Sequence, residues 1–218
     1  MAANSSHSPD ESAVLAAPFG RLGVAAHAGV LTGIAFLPAD TPLRAPISDG
    51  VCAQLAQELA SYWDAPQHVF QLPWCAEGTL FQQRVWQVML QIPPGQTLSY
   101  GQVAQQLASA PRAVGGACGR NPLPIVIPCH RIVAAGGLGG FNQGRDEGLL
   151  GVKRWLLRHE GGAGWDLASP TKPFWRCRAA LPYDVYRLRP RASHRLTALY
   201  GGDAPCLKHE ARQAVYCV

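Results

Sequence analysis

The sequence predicts an α+β chain in which a small α/β domain, built from a hairpin-based sheet and a helix, precedes a mostly helical domain. Two observations support this fold class. Apolar and β-branched segments flank a turn at His27-Ala28-Gly29 and are followed by residues at amphipathic helical spacing. From Thr79 onward, capping-box patterns open successive helices. With 218 residues, 48% of them hydrophobic, the chain can bury a core.

Residues 18–76 are predicted to form the N-terminal domain. Residues 22–26 and 30–37 have the composition of two strands, and Gly29 supplies the turn between them. Before this domain, residues 1–17 are rich in Ser, Ala and Asn and lack periodicity, which predicts a disordered leader.

A helix is predicted after the hairpin, with Ser48 or Asp49 as its N-cap. Its apolar residues recur at a spacing that places them on one face, which should pack on the sheet. These residues are Val51, Cys52, Leu55, Leu59 and Tyr62. A further strand is predicted at residues 68–72, and no residue of this domain indicates catalytic chemistry.

The second domain is predicted at residues 77–167, because the composition changes at Glu77-Gly78. Thr79 and Ser99 each precede a glutamine by three residues, the capping-box pattern that begins a helix. Pro111 lies at a favoured first-turn position of a third helix. The second and third helices, joined by a tight turn, predict a helix-turn-helix, and we expect the domain to be winged-helix-like.

The helix that begins at Pro111 has unusually little side-chain bulk. Ala113, Gly115, Gly116 and Ala117 occupy its middle. Glycine inside a helix costs about 1 kcal/mol relative to alanine, and the usual reason for accepting that cost is the close approach of another surface. A single basic side chain, Arg112, lies at the N-terminal end of this helix.

Positive charge is concentrated in the middle of the chain. Up to Leu167 there are ten basic and eleven acidic residues, but eight of the ten basic residues lie between Arg84 and Arg158. The only acidic residues in that interval are Asp146 and Glu147. This distribution favours either a polyanionic partner or a solvated basic face.

The cysteines and the N-terminus bound the class of protein. The chain has neither a signal-peptide pattern nor an apolar stretch of about 18 residues, which predicts a cytoplasmic protein without a membrane partner. Seven cysteines without paired spacing argue against a disulfide framework, and the lack of a Cys-x-x-Cys pattern argues against structural zinc.

The candidate chemistry lies at Pro128-Cys129-His130-Arg131, where the apolar residues 125–127 lead to a thiol beside an imidazole. The thiolate is the reactive form of cysteine, and an imidazole can raise its population by accepting the proton. A small buried cysteine beside a structural histidine would give the same pattern. The glycine-rich residues 134–144 lack the Gly-Lys-Ser/Thr ending of a phosphate loop, which excludes a nucleoside triphosphate site.

Seven motifs, taken in order, resemble one protein family. They are Phe81-Gln82-Gln83-Arg84-Val85-Trp86, Ile92-Pro93, Ser99-Tyr100, Arg112-Ala113-Val114-Gly115-Gly116, Gly119-Arg120-Asn121-Pro122, Pro128-Cys129-His130-Arg131 and Lys153-Arg154-Trp155-Leu156-Leu157. The chain is similar to the O6-alkylguanine-DNA alkyltransferases, the methylated-DNA–protein-cysteine S-methyltransferases of direct repair. The resemblance covers about residues 19–165, weakly in the first domain and strongly from Phe81 onward.

The resemblance implies an enzyme that removes the alkyl group from O6-alkylguanine in double-stranded DNA, irreversibly and once per molecule. It implies a monomer that needs no cofactor and no metal. Cys129 would be the acceptor thiolate, His130 the base that acts through a water, and Glu160 the carboxylate that polarises the imidazole. Asn121 would hold the adjacent turns together around the site.

The resemblance also implies how the lesion is reached. Tyr100 would lie over a base flipped out of the duplex and donate its hydroxyl to guanine, while Arg112 would fill the gap in the base stack. The helix carrying Ala113, Gly115 and Gly116 would enter the minor groove. Backbone groups of the acceptor cysteine and of the isoleucine after the motif would read the exocyclic amine. The other residues predicted to contact DNA or substrate are Arg131, Ile132, Phe141, Asn142 and Lys153.

Two segments depart from the family pattern. Residues 145–149 form a short insertion between the glycine-rich loop and a last helix predicted at about residues 150–160. Residues 168–218 lie outside the resemblance and hold nine basic residues, three acidic residues and five prolines. This composition predicts a disordered basic tail, which would either add nonspecific affinity for DNA or be a solvated appendage without a role.

Two other functions are compatible with these residues. A noncatalytic protein that binds alkylated DNA would keep the helix-turn-helix but would not need a thiol, so Cys129 argues against it. A cysteine hydrolase would use the same Cys-His pair with repeated turnover, and a single equivalent of product would exclude it.

Overall fold

The computed structural model describes residues 10–142, 147–161 and 206–209. The strands are β1 (Glu11–Ala17), β2 (Gly20–His27), β3 (Val30–Leu37), β4 (Trp74–Glu77), β5 (Leu98–Ser99), β6 (Ile132–Val133) and β7 (Cys206–His209). The helices are α1 (Val51–Asp64), α2 (Leu80–Leu90), α3 (Tyr100–Gln106), α4 (Pro111–Gly119) and α5 (Glu147–His159). A 3₁₀ turn, Cys129–Arg131, lies between α4 and β6. Among the described residues, none of the helices combines the length and the apolar composition that a membrane span requires.

Five strands form one mixed sheet in the order β1-β2-β3-β4-β7. The first three form an antiparallel meander, and β4 pairs parallel with β3 and antiparallel with β7. The predicted hairpin is confirmed as β2 and β3, with Ala28 (φ 50°) and Gly29 (φ 75°) in the left-handed region at its turn. Helix α1 packs on this sheet and buries all five apolar residues predicted for it.

The expected disordered leader includes a strand, because Glu11–Ala17 is β1. Glu11, Ala13 and Leu15 are buried at alternate positions, as in a strand with one buried face. Alanine has low strand propensity and little bulk, so this alternation is weak in the sequence. Residues 1–9 lie outside the described part of the chain.

Two further strand assignments differ from prediction. Residues 68–72 are irregular, and the strand lies at Trp74–Glu77. In the predicted disordered tail, Cys206–His209 forms β7 against β4, and the rest of the tail is outside the described residues. A four-residue strand is selected by its pairing partner, so local periodicity does not indicate it. Cys75 of β4 is disulfide-bonded, which the cysteine spacing does not predict.

Both predicted capping boxes are confirmed. The hydroxyls of Thr79 and Ser99 accept from the N–H groups of Gln82 and Gln102, whose side chains accept from the N-cap N–H groups in return. Helices α3 and α4 pack against each other across a short turn in which Ala108 has φ 49°. The order of helices in this half is therefore the one that local signals predict.

The two halves of the chain share one continuous hydrophobic core. The Ile34 N–H donates to the Pro122 carbonyl (2.9 Å), and the rings of Phe36 and Phe141 lie 5.4 Å apart. Helix α5 begins at Glu147, ahead of the predicted start near residue 150. The division into separate domains at residues 76 and 77 stays a prediction.

The N-terminal cap of helix α1 is a side chain of strand β1. Its N-cap is Gly50 and not Ser48 or Asp49, and no local side chain caps it. Instead, the buried Glu11 carboxylate of β1 accepts from the Cys52 N–H (3.2 Å). A Cβ at Gly50 would lie 2.1 Å from this carboxylate, so glycine makes room for the cap. A negative charge here is also favoured by the helix dipole.

We expect Glu11→Ala to lower the free energy of unfolding by about 1 to 2 kcal/mol, because α1 loses its cap and a charge-assisted hydrogen bond. The matched control is Ser48→Ala, which removes the exposed hydroxyl that the sequence suggests as the cap and should cost less than about 0.5 kcal/mol. Urea titration followed by circular dichroism compares the two. A larger loss for Ser48→Ala would contradict capping by Glu11.

Candidate active site

Cys129 opens the 3₁₀ turn that follows a tight loop, and only 4% of it is exposed. Asn121 holds this loop, because its amide donates to the Ile127 carbonyl (2.8 Å) and its side-chain oxygen accepts from the Leu123 N–H (3.0 Å). Ile125 has φ 79°, a strained conformation for a β-branched residue. The loop before the thiol is thus held in one shape by a buried amide.

His130 is fully buried, and its Nε2 lies 2.9 Å from Glu160 Oε1. Because a carboxylate only accepts, Nε2 carries the proton and Nδ1 keeps its lone pair. Nδ1 is buried and has no hydrogen-bond partner among the described residues. Burial lowers the pKa of His130 although Glu160 opposes this, so the imidazole is neutral at pH 7. His130 therefore has the form of a base with one nitrogen available.

Glu160 is a buried carboxylate surrounded by hydrogen-bond donors. It accepts from His130, from the Tyr62 hydroxyl (2.8 Å), from Arg131 Nη2 (2.8 Å) and Nε (3.0 Å), and from the Gly95 N–H (3.3 Å). Burial alone would raise the pKa of Glu160, but hydrogen bonds and charge from His130 and Arg131 hold it well below its usual range. The carboxylate is therefore ionised and can stabilise a protonated imidazole.

Arg131 does not point outward as a direct DNA contact would require, whereas the contact predicted for Ile132 is made by its backbone and stays a prediction. The Arg131 guanidinium binds Glu160 and the Ile92 carbonyl, and 11% of its side chain is exposed. Ile132 is fully buried, with its N–H on the Cys129 carbonyl. In the sequence, an arginine beside a reactive cysteine can be taken for a phosphate-binding residue. In the structure, Arg131 instead forms a salt bridge with the buried carboxylate of Glu160.

Lys153 is also turned inward, in contrast to the predicted contact with DNA or substrate. It is fully buried, and its ammonium donates to the carbonyls of Ile132 (2.6 Å), Leu138 (2.6 Å) and Gly140 (3.0 Å). Burial lowers its pKa to about 8. Lys153 therefore ties the loop beyond the thiol to α5, and its charge acts on Cys129 from inside the protein.

A cavity of about 480 Å³ brings several predicted site residues together. Its wall includes Cys129, Tyr100, Arg112, Gly115 and Asn142. The Cys129 thiol, the N-terminal end of α4 and residues 139–142 of the glycine-rich loop thus face one space. A cavity of about 300 to 1,000 Å³ is the usual size for a small-molecule site.

The glycine-rich loop packs tightly against Tyr100. The Tyr100 hydroxyl donates to the Gly140 carbonyl (3.1 Å), and a Cβ at Gly139 would lie 2.9 Å from the Tyr100 ring. Asn142 has φ 45° at the cavity wall. Phe141 is buried and packs on Phe36 across the junction of the two halves, so its ring is part of the core as well as of the wall.

Helix α4 presents a bare face to solvent. Arg112, Ala113 and Gly116 are exposed, whereas Val114 and Ala117 face the core. A Cβ at Gly116 would meet no described atom within 4 Å. A Cβ at Gly115 would make only an ordinary contact with the Tyr100 ring, at 3.9 Å. Packing within the described residues therefore does not require either glycine, and close approach of another molecule would account for both.

Sequence reasoning missed several residues of the site. Tyr62 contacts Glu160 from the other half of the chain, and no local pattern could indicate a pair 98 positions apart. Cys118 lies in the same cavity wall as Cys129, and burial raises its pKa. Among the described residues, no three His, Cys, Asp or Glu side chains are grouped as a metal ion would need.

Comparisons with known proteins agree with this arrangement. The family model for "6-O-methylguanine DNA methyltransferase, DNA binding domain" matches residues 80–162. The methylated-DNA–protein-cysteine methyltransferase of Mycobacterium tuberculosis is 38% identical over 149 residues, covering 66% of this chain and 87% of the relative. That of Methanosarcina acetivorans is 32% identical over 156 residues, covering 68% of this chain and 97% of the relative.

Solved structures show the same fold. The crystal structure of Mycobacterium tuberculosis O6-methylguanine methyltransferase gives a TM-score of 0.59 at 34% identity, covering 70% of this chain and 93% of that one. The same organism's protein in complex with DNA gives a TM-score of 0.58 at 35% identity, covering 69% of this chain and 92% of that one. Identity above 30% over most of the length of these relatives means that the chain belongs to the methylated-DNA–protein-cysteine methyltransferase family.

Proposed function

We propose that this chain repairs O6-alkylguanine in double-stranded DNA by accepting the alkyl group on its own Cys129, once per molecule. Family membership gives the reaction class, direct-reversal DNA repair, and the residues that carry it are the proposal. The main support is that Cys129 lines a cavity together with the exposed N-terminal end of α4, and that the next residue along the chain, His130, is paired with the buried carboxylate of Glu160.

The proposed reaction is a displacement at the alkyl carbon. The Cys129 sulfur attacks this carbon, the S–C bond forms as the bond from carbon to O6 breaks, and the electron pair stays on guanine. Guanine takes up one proton from water in exchange for the one that the thiol gives up, so no net proton is consumed. The thiol proton passes through a water to His130 Nδ1, the buried nitrogen that has no hydrogen-bond partner among the described residues. Glu160 then stabilises the imidazolium. The thioether is stable, so the protein is consumed.

The protonation states suit this order of events. Burial raises the pKa of the Cys129 thiol, while Asn121 and Lys153 lower it by less, so the sulfur stays protonated until a base takes its proton. The neutral His130 can take that proton at pH 7. Proton transfer and attack on the alkyl group can then occur together in the filled cavity.

Binding of the lesion would use the cavity and the bare face of α4. Ala113, Gly115 and Gly116 would lie in the minor groove, and Arg112 would occupy the space left by the flipped base. Tyr100 would turn its hydroxyl from the Gly140 carbonyl to the guanine ring. We further infer a winged-helix-like arrangement of α3 and α4 with the small β5–β6 sheet.

Residues 77–167 would supply both DNA binding and the acceptor thiol, and one chain holds every residue that this mechanism uses. This favours action as a monomer. A noncatalytic lesion-binding protein and a cysteine hydrolase are not favoured, because the relatives at 32 to 47% identity are methyltransferases.

Incubation with an excess of duplex oligonucleotide carrying one O6-methylguanine should add one methyl group to the peptide that contains Cys129. We expect Cys129→Ala to remove the reaction, since no thiol remains at the end of the loop held by Asn121. Cys52→Ala, which removes a buried thiol of α1, is the matched control and should keep full stoichiometry. Peptide mass spectrometry identifies the site. Methylation elsewhere, or more than one equivalent of demethylated DNA, would contradict the proposal.

Substituting alanine for Gly116 should stabilise the fold and weaken DNA binding. The added methyl group meets no described atom and favours the helix by about 1 kcal/mol, but it separates α4 from the groove. We expect affinity for unmodified duplex DNA to fall about fivefold, or ~1 kcal/mol, at fixed salt.

Gly151→Ala is the matched control for this substitution, because Gly151 lies in α5 and a Cβ there also meets no described atom within 4 Å. It should raise stability equally and leave affinity unchanged. Fluorescence anisotropy and thermal unfolding measure the two effects. Equal affinities for both variants would argue against contact of α4 with the groove.

A further inference from the structure

We propose that Tyr62 of α1 is a positioning residue for alkyl transfer, through which the N-terminal half of the chain sets how readily His130 takes up a proton. The inference rests on the proposed function of Cys129 and His130. The first half of the chain then has a chemical role in addition to its role as a scaffold.

Tyr62 shares one oxygen atom with the proposed base. Its side chain is buried, with 1% exposed, and its hydroxyl donates to Glu160 Oε1 at 2.8 Å. The same oxygen accepts from His130 Nε2 at 2.9 Å and from Arg131 Nη2 at 2.8 Å. Arg131 Nε is a fourth, longer donor to this oxygen at 3.3 Å. Three residues therefore divide the negative charge of one carboxylate oxygen, and the imidazole receives only part of it.

The position of Tyr62 is fixed by contacts between α1 and the end of α5. His159 Nε2 lies 2.7 Å from the Tyr62 carbonyl, and the His159 ring meets the Tyr62 ring edge-on at 5.1 Å. Trp63 packs against Trp155 one turn earlier in α5, with ring centroids 5.6 Å apart. These contacts join α1 to the end of α5 immediately before Glu160. They therefore keep the Tyr62 hydroxyl close to the Glu160 carboxylate.

The groups around the His130–Glu160 pair come from several elements. Arg131 lies on the 3₁₀ turn and Lys153 on α5, and both of these positive charges disfavour a further positive charge on His130. Glu160 favours it. Cys129 stands beside His130 on the 3₁₀ turn, and the Gly95 N–H adds a neutral donor from the loop after α2.

Tyr62 itself stays neutral over the pH range in which His130 titrates. Burial, followed by the charge of Glu160, raises its pKa well above the usual range. It is therefore a permanent donor to the carboxylate. If the hydroxyl is removed, the charge on Oε1 is shared between His130 and Arg131 alone, which stabilises the imidazolium and raises the pKa of His130.

The test is the pH dependence of methyl transfer by full-length Tyr62→Phe. A duplex oligonucleotide with one O6-methylguanine is the substrate, and single-turnover rates are measured from about pH 5 to pH 9. Because neutral His130 is required, we expect the acid limb of the profile to move to higher pH by about one unit, with an approximately tenfold lower rate on that limb. The plateau at high pH should change much less.

Trp63→Phe is the matched control, because Trp63 belongs to the same joint between α1 and α5 but donates nothing to Glu160. It should lower thermal stability and leave the acid limb in place. If Tyr62→Phe lowers stability and does not move the limb, Tyr62 is only structural and the inference is overturned. Absence of transfer by the unsubstituted protein would instead overturn the proposed function, and this inference with it.

Discussion

The buried carboxylate of Glu160 is the interaction on which the rest of the site depends. A charge removed from water is tolerated only when it is paired and fully hydrogen-bonded. Its donors come from α1, from the loop after α2 and from the 3₁₀ turn, so satisfying one carboxylate brings three distant segments together. His130 is oriented as part of that arrangement, and its second nitrogen is left for chemistry.

Lys153 is a second buried charge of the site, opposite in sign to Glu160. Both residues belong to the C-terminal helix region, one as a buried cation on three carbonyls and the other as a buried anion on five donors. The cation fixes the glycine-rich loop that lines the cavity, and the anion fixes the base. Helix α5 and the residue that follows it therefore position both the loop at the cavity and the proposed base, although they contribute no atom that reacts in the proposed mechanism.

Sequence patterns that span only a few residues correctly predicted the elements whose stability arises from neighbouring residues. The capping boxes at Thr79 and Ser99 and the apolar face of α1 appeared where the sequence indicated, because their energies arise within a few turns. Strand β7, the cap supplied by Glu11 and the contact of Tyr62 with Glu160 depend on residues far apart in sequence, so no window reveals them. The sequence shows that Lys153 and Arg131 are charged, but it does not show that each side chain has buried oxygen acceptors within the protein. For this reason both were predicted to contact DNA or substrate.

The burial of Cys129 also bears on how the protein survives in a cell. In the proposed reaction Cys129 reacts once and is not regenerated, so each molecule can repair one lesion, and any other electrophile that modifies its sulfur removes that capacity. A thiol that is 4% exposed and kept protonated by its surroundings is a poor target for small oxidants and alkylating agents in solution. The number of lesions that a cell can correct then follows the number of molecules made.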